Sequence, residues 1–412
     1  MISLNPVPRA LVPVDSAAAA RVSGPNYDEF QDDAEIRGYI HAHPDSILRV
    51  TMAHADAPSA QDILPEGSAA ALAKAAANME ALAANDLTRT VTRVLWVYEM
   101  TDASRPGIRQ IGLGGMARTD EIRTPATPGG PILRNEGVRE RKVRGRADLI
   151  ERTSAIVGTV NNAVDDAEGA LTEALERHAD GRACDLEVTD ERATRHRVWL
   201  VTDERDIAVL QALMANEPRA YVADGNHRSA GAAMLGYEDF LAVFFPARTM
   251  AIKPYNRLVD VDPTGRDEVL DRLQAWFEVR ELNGVEAFQP EQRDRIGLYA
   301  GGSWYEMTPR PGTYDADNAA ESIAAGIVQR NFFGEVLGIP DAGDLRLKFV
   351  GSNRDARHLR ERVDAGEYGY AVTLPAVTME EFIEVCLQDR LMPPKSTWFE
   401  PKLRSGLVVA LI

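Results

Sequence analysis

An apolar run that breaks on Asp-Gly constrains this chain more than any other stretch. Tyr221-Val222-Ala223 leads straight into Asp224-Gly225. Asn226, His227 and Arg228 then stand side by side, and Ser229 to Leu235 is mostly small residues. A strand-type run, a glycine that permits a tight turn and a small-residue tract predict strand, corner and closely packed helix. Backbone N–H groups at a helix N-terminus attract anions, and imidazole and guanidinium groups can close over a phosphate. Asp224 would stand at the lip as a carboxylate able to hold a metal ion or take a proton. The plainer alternative is a helix cap with an exposed arginine.

The flanking sequence predicts what this corner is set into. Phe240–Pro246 is a continuous apolar run, read as a buried strand, with Met250–Pro254 as a partner strand. Residues 66–86 are alanine-rich and predict a helix. Val94–Met100 and Arg109–Met116 predict an antiparallel hairpin, whose Gly112-Leu113-Gly114-Gly115 is strand glycine under close packing and not a nucleotide loop. Ile47–Val50 reads as a strand, Leu149–Val160 as a helix, 163–179 as a second helix, and Val198–Val201 as a strand. Such irregular alternation predicts a mixed α/β (α+β) sheet. The expected division is an N-terminal domain over 1–261 carrying the corner and a smaller α/β domain over 262–412. The latter contains Met392-Pro393-Pro394-Lys395-Ser396-Thr397-Trp398-Phe399-Glu400-Pro401-Lys402-Leu403.

Composition excludes some partners. With a formal charge of −17 the chain repels nucleic acid and anionic membranes at long range. No apolar run is long enough to span a bilayer and no secretory pattern opens the chain, so a cytoplasmic location is expected. The two cysteines, Cys184 and Cys386, are far apart and form no metal-ligand pair. His41, His43 and His54 fit no familiar ligand spacing and read as loop histidines.

One carboxylate beside an amide, an imidazole and a guanidinium is the equipment of phosphoryl transfer. Positive groups hold phosphate, and a carboxylate serves Mg²⁺ or the accepting hydroxyl. A serine nucleophile is disfavoured, because Ser229 lies in no Gly-x-Ser-x-Gly elbow. A second charged run, Arg139–Arg146, follows Arg134-Asn135-Glu136-Gly137. It reads equally as a solvated helix face or as the lining of an anion pocket.

Ala223-Asp224-Gly225-Asn226-His227-Arg228 resembles the Asp-Gly-His-His-Arg motif of the DUF1015 family. Phe240–Pro246, Tyr255-Asn256-Arg257 and the 392–403 segment with Gly406-Leu407-Val408 match that family in order, so the resemblance spans essentially the whole chain. The motif is similar to one in the ParB/sulfiredoxin-like superfamily, where it binds phosphate or nucleotide and where free-serine kinases carry it. The resemblance implies a ParB/sulfiredoxin-like phosphate-binding core. It makes Asp224 the catalytic acid/base or an Mg²⁺ ligand, with Gly225, Asn226, His227, Arg228 and Arg146 on the nucleotide phosphates. Glu136 matches the family's His-Glu pair and becomes the second carboxylate. Lys395 either reaches the same pocket or is a surface contact of a packed segment.

Two departures stand out. Asn226 replaces the first histidine of the signature and Asn135 the histidine of the His-Glu pair, while Val143 and Gly145 replace a lysine and an aspartate before Arg146. Asparagine can donate to a phosphate but cannot carry charge or shuttle a proton. The expected function is a kinase using ATP or ADP, with Mg²⁺, to phosphorylate the hydroxyl of free serine or a related metabolite. The alternatives are a phosphohydrolase acting on a small phosphorylated metabolite and a non-catalytic nucleotide- or phosphometabolite-binding protein. Partners are thus a nucleotide and a small molecule, with no nucleic acid and no membrane.

Overall fold

A computed structural model describes residues Met1–Ile412. The fold is mixed α/β, and the chain forms two compact units. One comprises 1–134, 138–250 and 401–412, the other 135–137 and 251–400. The division is therefore not a single cut near residue 261. Residues 401–412 return to the first unit because Val409–Leu411 pairs there with Val7–Pro13 and Ala155–Ile156.

The first unit is built on a twelve-stranded sheet. Asp239–Pro246 lies inside it, parallel to Val160–Val164 on one side and antiparallel to Gln110–Arg118 on the other. Its residues from Phe240 onward are buried, as a strand covered on both faces requires. Thr88–Thr101 and Gln110–Arg118 form the expected antiparallel pair. Gly114 is needed there because a Cβ at that position would fall inside the Trp96 indole. Ala220–Asp224 pairs antiparallel with Val160–Val164, and the register slips between Val222 and Asp224. Such a bulge bends a strand end and re-aims its last side chain.

Several local expectations are corrected. Leu48–Thr51 is a short helix and not a strand, with Val50 N–H bonded to the Ile47 carbonyl; one turn is too short to show its period. The charged run itself starts the helix Glu140–Thr153, which ends on left-handed Ser154. Ala155–Ile156 and Val160–Val164 beyond it are strands, so the second helix begins only at Ala170. Ala251–Lys253 does not pair with the 240–246 strand, whose two edges are already occupied. It pairs with Trp398–Glu400 in the second unit.

That second unit carries a six-stranded antiparallel sheet in which Asn256–Val259 lies between Leu347–Val350 and Tyr370–Thr373. Its Pro-bounded segment is anchored by Trp398, fully buried against Tyr255 with ring centroids 5.3 Å apart. No helix is long and apolar enough to cross a membrane.

Candidate functional site

The corner forms as the residues demand. Gly225 sits at φ +114°, which an L side chain rarely adopts, and the helix Asn226–Met234 starts directly after it. A Cβ on Gly225 would also lie 2.8 Å from the Arg228 Nε, so the absence of a side chain is needed twice. Arg228, one turn on, folds its guanidinium back: Nη2 donates to Asp224 Oδ1 at 2.8 Å and Nη1 to Asn26 Oδ1 at 3.3 Å.

A third segment completes the group. Lys402 Nζ donates to Asp224 Oδ2 at 3.2 Å and to Asp28 Oδ2 at 3.1 Å. The Lys402 and Asp28 side chains are 7% and 5% exposed, while Asp224 remains 21% exposed. Two carboxylates and two cations are thus held together by residues from 26–29, 224–228 and 402–405. Asn26 ties all three, donating through Nδ2 to the Leu403 carbonyl at 2.7 Å and through its backbone N–H to Glu29 Oε1 at 2.7 Å. Burial pushes the Glu29 carboxyl up to about 7; the Asn26 N–H and Lys402 oppose that rise, and neighbouring Asp28 adds to it.

His227 Nε2 accepts the Arg139 N–H at 3.0 Å, which puts the ring proton on Nδ1 and caps the start of Glu140–Thr153. On that helix Arg146 lies against Gly231, where a Cβ would stand 3.0 Å from its own, and its guanidinium covers the Tyr27 ring at 4.8 Å. The charged run therefore divides, with Arg144 in an exposed i,i+4 pair with Glu140 and Arg146 turned toward Tyr27.

Asp224, Gly225, Asn226, His227, Arg228 and Arg146 all belong to the first unit. Glu136 and Lys395 belong to the second, where the Lys395 N–H donates to Glu136 Oε2 at 3.2 Å and its ammonium lies 5.6 Å from the Tyr255 ring centre. Beside them Arg257 is buried, with Nη1 donating to the Tyr255 carbonyl and Nη2 to that of Pro394. Burial pushes its guanidinium down to about 10, against the pull of Tyr255 and Glu136.

A protein-held Mg²⁺ does not fit the donors at Asp224. Both its oxygens face cations, and no group of three or more His, Cys, Asp or Glu side chains gathers to hold a metal. Four residues of this site were missed in the sequence: Asn26, Asp28, Glu29 and Lys402. The signal available for Lys402 was a lysine set between Pro401 and Leu403 in a segment otherwise fit for burial.

The family model described as a protein of unknown function, DUF1015, matches residues 6–330, and the chain belongs to that family. No curated protein matches the sequence. Among solved structures, a conserved hypothetical protein from Pyrococcus furiosus is 15% identical, 72% of this chain covering 95% of that one at a TM-score of 0.40. A free serine kinase in complex with AMP is 15% identical, over 71% of this chain and 92% of that one, at a TM-score of 0.39. SbnI with a C-terminal truncation, from Staphylococcus aureus, is 10% identical over 72% and 87%, at 0.38. At these TM-scores the likeness is one of outline and does not extend to ligand or reaction.

Proposed function

We propose that this protein is a nucleotide-dependent phosphotransferase that uses ATP or ADP to phosphorylate the hydroxyl of free serine or a related small metabolite. The observation that carries the reading is the cation pair at the signature corner: Arg228 and Lys402, both drawn in by Asp224 beside a helix N-terminus. Phosphoryl transfer depends chiefly on positioning and on neutralising charge over the transferred group, and a preformed pair of cations supplies both.

In this reading Arg228, Arg146 and the Gly225–His227 backbone hold the nucleotide phosphates. Asp224 keeps the cations aimed and stands nearest the reacting group. Glu136 as second carboxylate rests on the motif match alone, and Lys395 as a phosphate contact on its place in the 392–403 segment. Incubation with ATP or ADP, Mg²⁺ and L-serine should yield phosphoserine. Absence of product with either nucleotide, together with no nucleotide-induced shift in melting, would remove the reading.

Asn226 favours a second reading, a nucleotide- or phosphometabolite-binding protein without turnover, since an amide replaces an ionisable ring in the signature. That reading requires nucleotide binding with no product under any of those conditions.

A further inference from the structure

We infer that Lys402 is a phosphate-binding residue of the signature corner: together with Arg228 it receives an anionic phosphoryl group of a nucleoside polyphosphate, while Asp224 is the carboxylate that positions the two cations and Asp28 neutralises Lys402 from the other side. The inference rests on the phosphotransfer reading above and assigns to it a residue from the last twelve of the chain.

A lysine that is 7% exposed gives up most of its hydration, and here two carboxylates share the work of stabilising it. The group Asp28, Asp224, Lys402 and Arg228 is formally neutral, so an incoming phosphoryl group meets two cations that are already desolvated and oriented. Arg228 keeps donor capacity in hand, because Nη1 and Nη2 each make one of the two hydrogen bonds open to them.

Lys402 is also held by its backbone. Gly24 and Ser405 exchange both main-chain hydrogen bonds, at 3.0 and 2.8 Å. Next to Lys402 but one, Arg404 donates its N–H to Tyr98 Oη, its Nε to Ser23 Oγ and its Nη1 to Glu191. A segment pinned in this way presents its ammonium at a fixed place.

The rival role for Lys402 is a staple that only fastens the C-terminal segment, and charge separates the two. Titration calorimetry of the full chain with ADP, and separately with inorganic phosphate, should be run for wild type, Lys402→Gln, Lys402→Arg and Asp28→Asn, with thermal melts of each. Lys402→Gln should weaken binding by about 10-fold or more, and Lys402→Arg should restore most of it. Asp28→Asn should bind more tightly, because it leaves the group with net positive charge. Equal affinity for Lys402→Gln and wild type overturns the inference, as does weakening in both Lys402→Gln and Asp28→Asn, which is the signature of a staple. If Lys402→Gln fails to fold, Asp28→Asn decides alone: tighter binding supports the inference, and unchanged or weaker binding overturns it. The wild-type titration isolates the parent reading. Wild type that binds phosphate but no nucleotide removes nucleotide dependence and leaves Lys402 to be judged on phosphate; wild type that binds neither overturns both.

Discussion

Lys402 donates to Asp224 Oδ2 at 3.2 Å across 178 residues of sequence. That bond makes the C-terminal segment part of the signature corner and gives the motif carboxylate a second cation besides Arg228. It also changes the part expected of Asp224. A carboxylate with both oxygens directed at cations is placed to hold them at least as much as to accept a proton.

Asp224→Asn keeps the shape and removes the charge. Arg228 and Lys402 then lose their shared anchor, so the prediction is a loss of phosphoserine formation of roughly 100-fold or more, with a fall in stability of about 1–3 kcal/mol. Product assay and urea unfolding on the same preparation check both parts.

Glu29 predicts a pH dependence of stability. Its carboxyl stands at about 7 in the folded protein against an ordinary 4.5, raised by burial. The folded state therefore binds this proton more tightly than the unfolded chain does. The stabilisation it contributes is complete below 4.5 and is lost as pH rises through about 7. Glu29→Gln should flatten the slope of stability over that window and be relatively more stable above it. Melting temperature measured from pH 4 to 8 tests this; an unchanged slope removes Glu29 as its source.

Gly225→Ala should be costly and Gly129→Ala close to neutral. The first puts a Cβ on a residue at φ +114° and 2.8 Å from the Arg228 Nε; the second points into open space. Backbone strain alone is worth about 1–3 kcal/mol, and displacement of Arg228 should lower nucleotide affinity as well. Unfolding and ADP titration of the pair provide the measurement.

Trp398→Ala should destabilise the second unit by about 3–5 kcal/mol. The indole is fully buried against Gly351 and Tyr255, so its removal leaves a cavity. Near-ultraviolet circular dichroism and denaturant unfolding would register the loss.

Much of the site's local form was legible in the sequence. Tyr221–Gly225 announces strand and turn, and the residues after Gly225 announce a helix, because each preference there is local. Phe240–Pro246 was equally plain, since seven apolar residues in succession are a strand covered on both faces. Short-range logic also explains the errors. A single helical turn at Leu48–Thr51 has no period to read, and Val160–Val164 is a strand only because long-range partners on two sides make it one. Lys402 was hidden for the same reason. Its burial depends on Asp28 and Asp224, 374 and 178 residues away, and no window of sequence contains them together.

The most direct test of phosphotransfer is a single phosphorus NMR time course of the full chain with ATP or ADP, Mg²⁺ and L-serine. The account predicts a growing phosphomonoester resonance that requires both nucleotide and serine and disappears in Asp224→Ala. Inorganic phosphate as the sole new signal, or nucleotide resonances that never change, would contradict it.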